Sequence, residues 1–196
     1  MLKNTLQRGF TLVEMMIALA IVALVLFVAV PSFTIFLQNQ QIKNAANSAL
    51  NGLTLARAEA IRLNTPVRFQ FVSDLTSGCT LSTTSLAWVV SQTDPTGLCD
   101  TAPKVTPPGI IQSRSATEGT RNAVVAVTGG NSVTFTGLGR ALAGGITKID
   151  FSNSTGACQY ITSSGKMRCM RIMVTSGGQA RMCDPQVTDA NDPRKC

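Results

Sequence analysis

The N-terminal part of the chain carries a long apolar stretch. From residue 10 to residue 30, the positions that are not apolar are Thr11 and Glu14. At a rise of ~1.5 Å per residue this stretch would form a helix ~31 Å long, about one hydrocarbon thickness of a bilayer. We therefore expect residues 10–30 to form a membrane-spanning helix.

Hydropathy alone would also fit a secretory signal peptide or an ordinary single-pass anchor. The apolar run is longer than the ~7 to 15 residues of a signal-peptide core, and no convincing small-x-small cleavage site is present. Glu14 lies one turn inside the run, where a carboxylate costs up to ~2.5 to 3.5 kcal/mol at the membrane centre and less near its edge. These features favour a retained helix whose acidic side chain has a partner.

A second helical pattern follows Pro31 and is amphipathic. Its apolar positions are spaced alternately by four and three residues, and they are Ile42, Ala46, Ala49, Leu53, Ala56, Ala60 and Leu63. Because four of the seven are alanine, this stripe suits close packing on the chain's own head better than a coiled coil. We predict an amphipathic helix over residues 31–64, ended by Asn64-Thr65-Pro66.

Beyond Pro66 the hydrophobic period changes to two, which is typical of strands. The predicted strands are residues 67–71, 86–90, 123–128, 132–136, 146–151, 158–162, 167–174 and 179–183. Gly129-Gly130-Asn131 is predicted to be a hairpin turn, and the four prolines within residues 93–109 predict a surface loop. The fold class is therefore α+β, with a β-rich antiparallel head over residues 65–196.

All six cysteines lie in this head, and the chain contains no histidine. An even number of cysteines without a C-x-x-C pair predicts disulfides in an oxidising compartment. Among 15 connectivities, we favour Cys79 with Cys99, then Cys169 with Cys183 and Cys158 with Cys196. Without histidine, paired carboxylates or a metal-ligand set, the sequence indicates no enzyme, no metal and no cofactor.

The segment Arg8-Gly9-Phe10-Thr11-Leu12-Val13-Glu14 resembles the cleavage and assembly motif of type IV prepilins and type II secretion pseudopilins. The resemblance implies that residues 1–9 are a leader, that prepilin peptidase cuts between Gly9 and Phe10, and that the new amine of Phe10 is methylated. It also implies that Glu14 pairs with the amine of a neighbouring subunit. The implied location is the inner membrane and then a cell-surface pilus, with the head periplasmic or extracellular.

Residues 53–67 and 133–141 resemble the GspH/FimT family of minor pilins and pseudopilins. This resemblance implies the type IV pilin fold, a long N-terminal helix packed on an antiparallel sheet. It further implies a minor pilin of the pilus tip or initiation complex, whose partners are other pilins and minor pilins. The alternative is a minor pseudopilin of type II secretion.

Some FimT proteins bind DNA through a Gly-Arg-x-Arg motif on the last hairpin. The matching positions keep Gly178 and Arg181, whereas Gln179 replaces the first arginine. The chain has 17 Lys and Arg against 10 Asp and Glu, an excess that permits an anionic partner but that solubility would equally explain.

Further cations precede this motif on the strand before it. They are Lys166, Arg168 and Arg171. A turn at residues 176–178 is expected to bring Arg181 opposite Ile172 and onto the face of Arg168, with Arg171 on the other face. We therefore predict weak, salt-sensitive and non-specific DNA binding, against the alternative of a solvated strand face.

Overall fold

The computed structural model describes residues 9–118 and 120–196, without the side chains of residues 28–32. The chain forms two compact units, Met1–Leu37 and Gln38–Cys196. One helix and eight strands are present in the described residues: α1 (Leu12–Leu63), β1 (Val67–Val72), β2 (Ala87–Ser91), β3 (Ile110–Arg114), β4 (Ala123–Thr128), β5 (Ser132–Phe135), β6 (Lys148–Asn153), β7 (Met170–Val174) and β8 (Ala180–Cys183).

The end of α1 is fixed by a residue in the left-handed region. Asn64 has φ 51°, the N–H of Thr65 donates to the carbonyl of Ala60, and the N–H of Asn64 donates to the carbonyl of Ile61. These two bonds are the Schellman arrangement, which satisfies carbonyls that a helix end would otherwise leave unpaired. The helix thus stops where the sequence predicted.

The amphipathic stripe of α1 packs on the head. Six of its seven predicted members are fully or almost fully buried in the main core, and Leu63 is partly buried against it. The small alanine side chains leave room for large neighbours, among them Phe69, Phe71 and Trp88. The prediction of helix-on-sheet packing is therefore confirmed.

The strands form two antiparallel four-stranded sheets. The first sheet has the order β3-β2-β1-β5, and the second has the order β4-β6-β7-β8. Both contribute large side chains to the main core, for example Phe69 from β1 and Phe151 from β6. The predicted α+β class, a long helix packed on antiparallel sheet, is what the structure has.

The predicted hairpin at Gly129-Gly130-Asn131 is wrong, because β4 and β5 belong to different sheets. β4 pairs with β6 and β5 pairs with β1. Gly129 has φ 102° and packs against the backbone of Gly145. The glycines therefore let the chain pass from one sheet to the other close to the backbone of Gly145. A tight hairpin turn favours glycine for the same conformational reason.

Two other strand assignments also differ from the prediction. Residues 158–162 form turns, in which the carbonyl of Cys158 accepts hydrogen bonds from the N–H groups of Ile161 and Thr162. β3 was not predicted, because it follows directly on the proline-rich loop and only its first residues, Ile110 and Ile111, are apolar. Tertiary pairing with β2 thus outweighs a weak local pattern.

All six cysteines lie among the described residues of the head, and they form three disulfides. The predicted Cys79–Cys99 bond is present. The other two predicted bonds are wrong, because the structure has Cys158–Cys169 and Cys183–Cys196. Cys183 lies opposite Arg171, so it is offset by two residues from Cys169 and the two do not face each other. A β-bridge between Cys158 and Met167 instead brings Cys158 close to Cys169.

Candidate functional sites

The first candidate site is the start of α1. Thr11 precedes the first helical residue, and its hydroxyl oxygen accepts a hydrogen bond from the N–H of Glu14 at 3.2 Å. In return, Glu14 Oε2 accepts from the N–H and the hydroxyl of Thr11, both at 2.9 Å. This reciprocal pair is a capping box, and the T-x-x-E spacing in the sequence could have predicted it.

The capping box uses one carboxylate oxygen of Glu14. Among the described residues, Oε1 of Glu14 accepts no hydrogen bond, so it can receive a donor from another molecule. Gly9 and Phe10 precede the helix and are exposed, while residues 1–8 of the predicted leader lie outside the described residues. The described part of the chain contains no helix with the length and apolar character needed to cross a membrane.

The second candidate site is the outer face of the second sheet, defined by Lys148, Asp150, Arg171 and Arg181. The register places Met173 opposite both Lys148 and Arg181. Because Ile172 and Val174 point into the core, Arg171 and Arg181 share the outer face. This face therefore holds three cations and one carboxylate.

This arrangement corrects the predicted position of Arg181. It lies opposite Met173 rather than Ile172, because the N–H of Thr175 pairs with the carbonyl of Gln179 and leaves three residues in the turn. Gly178 supplies the left-handed conformation, φ 77°, that such a turn needs. A shift of one residue moves a strand side chain to the other face, so Arg181 shares the face of Arg171.

Each of three predicted DNA-binding arginines already has a partner. Arg171 Nε is 2.6 Å from Asp150 Oδ1, and Arg168 Nε is 2.8 Å from the largely buried Asp184 Oδ2. Arg181 donates to the carbonyls of Pro193 at 3.4 Å and Lys195 at 3.1 Å. Lys166 has no ion pair within the described part of the chain.

Asp150 forms ion pairs with two cations, because Lys148 Nζ lies 3.4 Å from Oδ2 while Arg171 contacts Oδ1. Arg171 also lies over the ring of Tyr160, 5.9 Å from its centroid, and a contact of this kind stabilises a guanidinium near an aromatic face. One face of the Tyr160 ring is thus occupied. Period-two spacing could have placed Lys148 and Asp150 on one face, but the pairing of Asp150 with Arg171 depends on the register between β6 and β7.

The C-terminal tail returns to the end of β8. The Cys183–Cys196 bond closes it, and Asp184 forms a bridge with Lys195. Within the tail, hydrogen bonds from the Arg194 guanidinium and backbone N–H lower the pKa of Asp192 from 3.8 to about 2. Among the described residues, no group of three or more Cys, Asp or Glu side chains could hold a metal ion.

Comparisons with known proteins identify two regions of the chain. Residues 45–178 match the model of the GspH family, described as type II transport protein GspH. Residues 4–30 match the prokaryotic N-terminal methylation motif. None of the curated proteins matches the chain to a significant degree.

Two crystal structures of the type IV minor pilin FimU from Pseudomonas aeruginosa strain PAO1 are similar to this chain. The form in space group P21 has a TM-score of 0.48 and 16% identity, covering 79% of this chain and 97% of its own. The form in space group P65 has a TM-score of 0.45 and 14% identity, covering 76% of this chain and 97% of its own.

Proposed function

Because the chain belongs to the GspH family of type IV pilin-like proteins, we propose that it is a minor pilin of a type IV pilus tip or initiation complex. Prepilin peptidase cuts after Gly9 and methylates Phe10, and residues 10–30 hold the subunit in the inner membrane before it enters the filament. The head lies in the periplasm and then on the cell surface. Its partners are other pilins and minor pilins, and it catalyses no reaction.

The observation that carries this proposal is the position of Glu14. It lies in the first turn of α1, in a mostly apolar stretch whose side chains from Phe10 to Phe27 are all exposed. In lipid, a charged side chain in such surroundings needs a partner. Cleavage after Gly9 would create an amine four residues before Glu14, and stacked subunits would let the amine of one subunit reach the Oε1 atom of another.

The test is Glu14→Gln in the native full-length chain. We expect the leader to be removed and Phe10 to be methylated as in the wild type, while the subunit disappears from sheared filaments. Mass spectrometry measures the first outcome and immunoblotting of the filament fraction the second. The control is Glu59→Gln, which removes a partly buried head carboxylate paired with Arg62 and should leave incorporation unchanged.

Either of two results would contradict the proposal. One is a mature protein that still carries residues 1–9. The other is a Glu14→Gln subunit that enters filaments as efficiently as the wild type.

A second candidate function, a minor pseudopilin of type II secretion, is favoured by the description of the matched family. Deletion of the gene separates the two functions. Loss of surface filaments with normal protein secretion supports the pilus, whereas loss of exoprotein secretion with normal filaments supports the pseudopilus.

We also propose non-specific DNA binding, connected with DNA uptake, at the outer face of the second sheet. The supporting observation is that this face holds three cations and one carboxylate, with Lys166, Arg168 and the tail cations Arg194 and Lys195 elsewhere in the same half of the chain. Asp150 neutralises part of this charge, so contacts with phosphates must compete with existing ion pairs. DNA binding is therefore the weaker activity of the chain, and its main role is in filament assembly.

Fluorescence anisotropy with duplex DNA and the detergent-solubilised full chain tests this activity. The affinity should fall steeply as salt rises from 20 mM, with each phosphate contact contributing about 0.9 to the logarithmic slope. Arg171→Gln and Arg181→Gln should each reduce that slope, whereas Lys104→Gln, in the loop after β2, should not. The absence of any binding at 20 mM salt would contradict the proposal that the chain binds DNA.

A further inference from the structure

Three large aliphatic side chains are exposed where the end of α1 meets the turn after β5. They are Leu138, at 82% exposure, Leu142, at 51%, and Ile61, at 52%. Single exposed aliphatic residues are ordinary, but several in one place mark an interaction surface. We call Ile61, Leu138 and Leu142, with Arg57 and Arg140, the turn patch.

The backbone of the turn patch is held by hydrogen bonds on several sides. The N–H of Thr136 donates to the carbonyl of Arg140 at 2.9 Å, that of Leu142 to Thr134 at 2.9 Å, and that of Ala141 to Ser176 at 3.2 Å. The leucines therefore stand out from a backbone that is already fixed. Such a surface loses little conformational entropy on binding.

Glycines bring this turn against its neighbours. A Cβ atom on Gly139 would lie 2.8 Å from Ile61 Cδ1, and one on Gly137 would lie 2.7 Å from Asn64 Oδ1. Gly178, in the β7–β8 turn, touches the carbonyl oxygen of Gly139 so closely that no side chain fits there. These contacts make the turn, the helix end and the last hairpin a continuous support.

Two grooves lie beside the turn. The larger, of about 540 Å³, is lined by Leu138, Arg140 and Leu142 together with the ends of β5 and β7. The smaller, of about 220 Å³, lies between α1 and the last hairpin and is lined by Arg57 and Ile61. Exposed aliphatic side chains next to grooves give a partner's side chains both apolar contact and a place to insert.

The charged members of the turn patch are both arginines. Arg140 is exposed, and Arg57 Nε donates to the carbonyl of Gly139 at 3.0 Å. In the part of the chain that the structure describes, neither forms a salt bridge. An apolar centre flanked by unneutralised guanidinium groups is complementary to an apolar surface that carries carboxylates.

We propose that the turn patch docks onto an apolar, carboxylate-bearing surface of a neighbouring pilin-like subunit. The inference rests on the proposed function, because it takes its partner from the same assembly. DNA fits the patch poorly, since leucine and isoleucine neither stack on bases nor contact phosphates. Burial of the three aliphatic side chains supplies the attraction, and Arg140 selects the partner by charge.

The test is photo-crosslinking in cells that express the full-length chain with a photoreactive amino acid at position 138. We expect an adduct with another pilin-like subunit in membrane and filament fractions, with the crosslinked peptide near Asp or Glu residues. The control places the same amino acid at exposed Thr83, which lies beyond the opposite end of β1, and should not give this adduct.

Charge reversal then tests the chemistry of the contact. Arg140→Glu should lower the yield of the position-138 adduct about tenfold, because like charges at an interface are repulsive, and exchange of the partner's carboxylate for Lys should restore it. The proposal is overturned by an unchanged yield in Arg140→Glu, by adducts with lipid or DNA alone, or by no adduct.

The same fractions separate this inference from the proposed function. If the chain is present in filaments but gives no position-138 adduct, docking at the turn patch is wrong and the pilin function stands. If the chain is absent from both membranes and filaments, both proposals fail.

Discussion

The two parts of α1 differ in what covers their side chains. In the N-terminal part, every described side chain from Leu12 to Phe27 is exposed, and almost all are apolar. In the C-terminal part, one stripe of mainly small residues from Ile42 to Ala60 is buried in the head. Both parts are helical, so helix formation alone does not explain the difference.

The difference teaches which surface each part is built for. The C-terminal part has the apolar stripe of a helix that packs on its own domain. The N-terminal part is apolar on all sides, as in helices surrounded by lipid or by other helices. We expect the first pattern to control the stability of the head and the second to control where the subunit resides and with what it assembles.

The largest effect that would break this comparison is expected at Leu53. Leu53→Ala removes a fully buried side chain and should destabilise the head by about 2 to 5 kcal/mol, because lost burial and a cavity add together. Leu19→Ala, at a position 64% exposed in α1, should leave that free energy of unfolding unchanged. Chemical denaturation of the detergent-solubilised full chain, followed by fluorescence of the single tryptophan, Trp88, measures both.

Equal losses in the two variants would contradict the comparison, since they would mean that the N-terminal part is folded against the head. Membrane fractionation gives the converse comparison. Leu53→Ala should retain membrane fractionation whenever the protein accumulates.

The second largest effect is expected in the head, at the turn between β7 and β8. Gly178→Ala should destabilise the head by about 2 kcal/mol or more, because φ is 77° and the new methyl group would meet the carbonyl of Gly139. Gly177→Ala is the matched control, since the nearest atom to its Cβ would be Thr175 Oγ1 at 3.7 Å. The denaturation midpoints of the two variants are compared directly, and equal midpoints would show that the turn accommodates a methyl group.

The sequence predicts most where a pattern is local. The Ile42 to Ala60 stripe and the stop at Asn64 both depend on spacing or on residues near one another in the chain, and the structure has both. The capping box of Thr11 and Glu14 has an equally local signal, T-x-x-E.

Prediction fails where the pairing is not local. Gly129-Gly130 satisfies both a hairpin and a crossing between sheets, so local conformation could not assign β4 and β5 to separate sheets. On the last hairpin, an error of one residue put Arg181 on the wrong face. The partners Asp150 and Asp184, which neutralise Arg171 and Arg168, are distant in sequence, and no motif announced them.

A smaller effect concerns the contact between α1 and the first sheet. Trp88 Nε1 donates to Ser48 Oγ at 2.9 Å in the buried region. Ser48→Ala leaves this N–H unpaired and should cost about 1 to 3 kcal/mol, near the lower end if water can enter. Thr54→Ala on the exposed side of the same helix should change stability by only a few tenths of a kcal/mol. An unchanged tryptophan emission and midpoint in Ser48→Ala would show that the bond contributes nothing.

The smallest effect lies in the C-terminal tail, where Asp192 pairs with the exposed Arg194. Hydrogen bonds from Arg194 hold the pKa of Asp192 at about 2, below its ordinary value of 3.8. Because the folded-state pKa is depressed, this pair supports the tail fully above pH 3.8, and its contribution is lost as the pH falls from 3.8 towards about 2. Carbon-detected NMR of the Asp192 carboxyl group should therefore show a midpoint near 2 in the wild type.

Arg194→Gln should return that midpoint towards the ordinary value, while Lys166→Gln should not, since the hydrogen bonds to Asp192 come from Arg194. Arg194 is exposed, so screening keeps the effect of this pair on global unfolding small. The denaturation midpoint of the head at pH 7 should therefore be the same in all three proteins. If Arg194→Gln instead lowered the denaturation midpoint of the head as much as Gly178→Ala does, the tail would unfold together with the core of the head. The tail after β8 would then count among the surfaces that the chain buries itself and not among those left for partners.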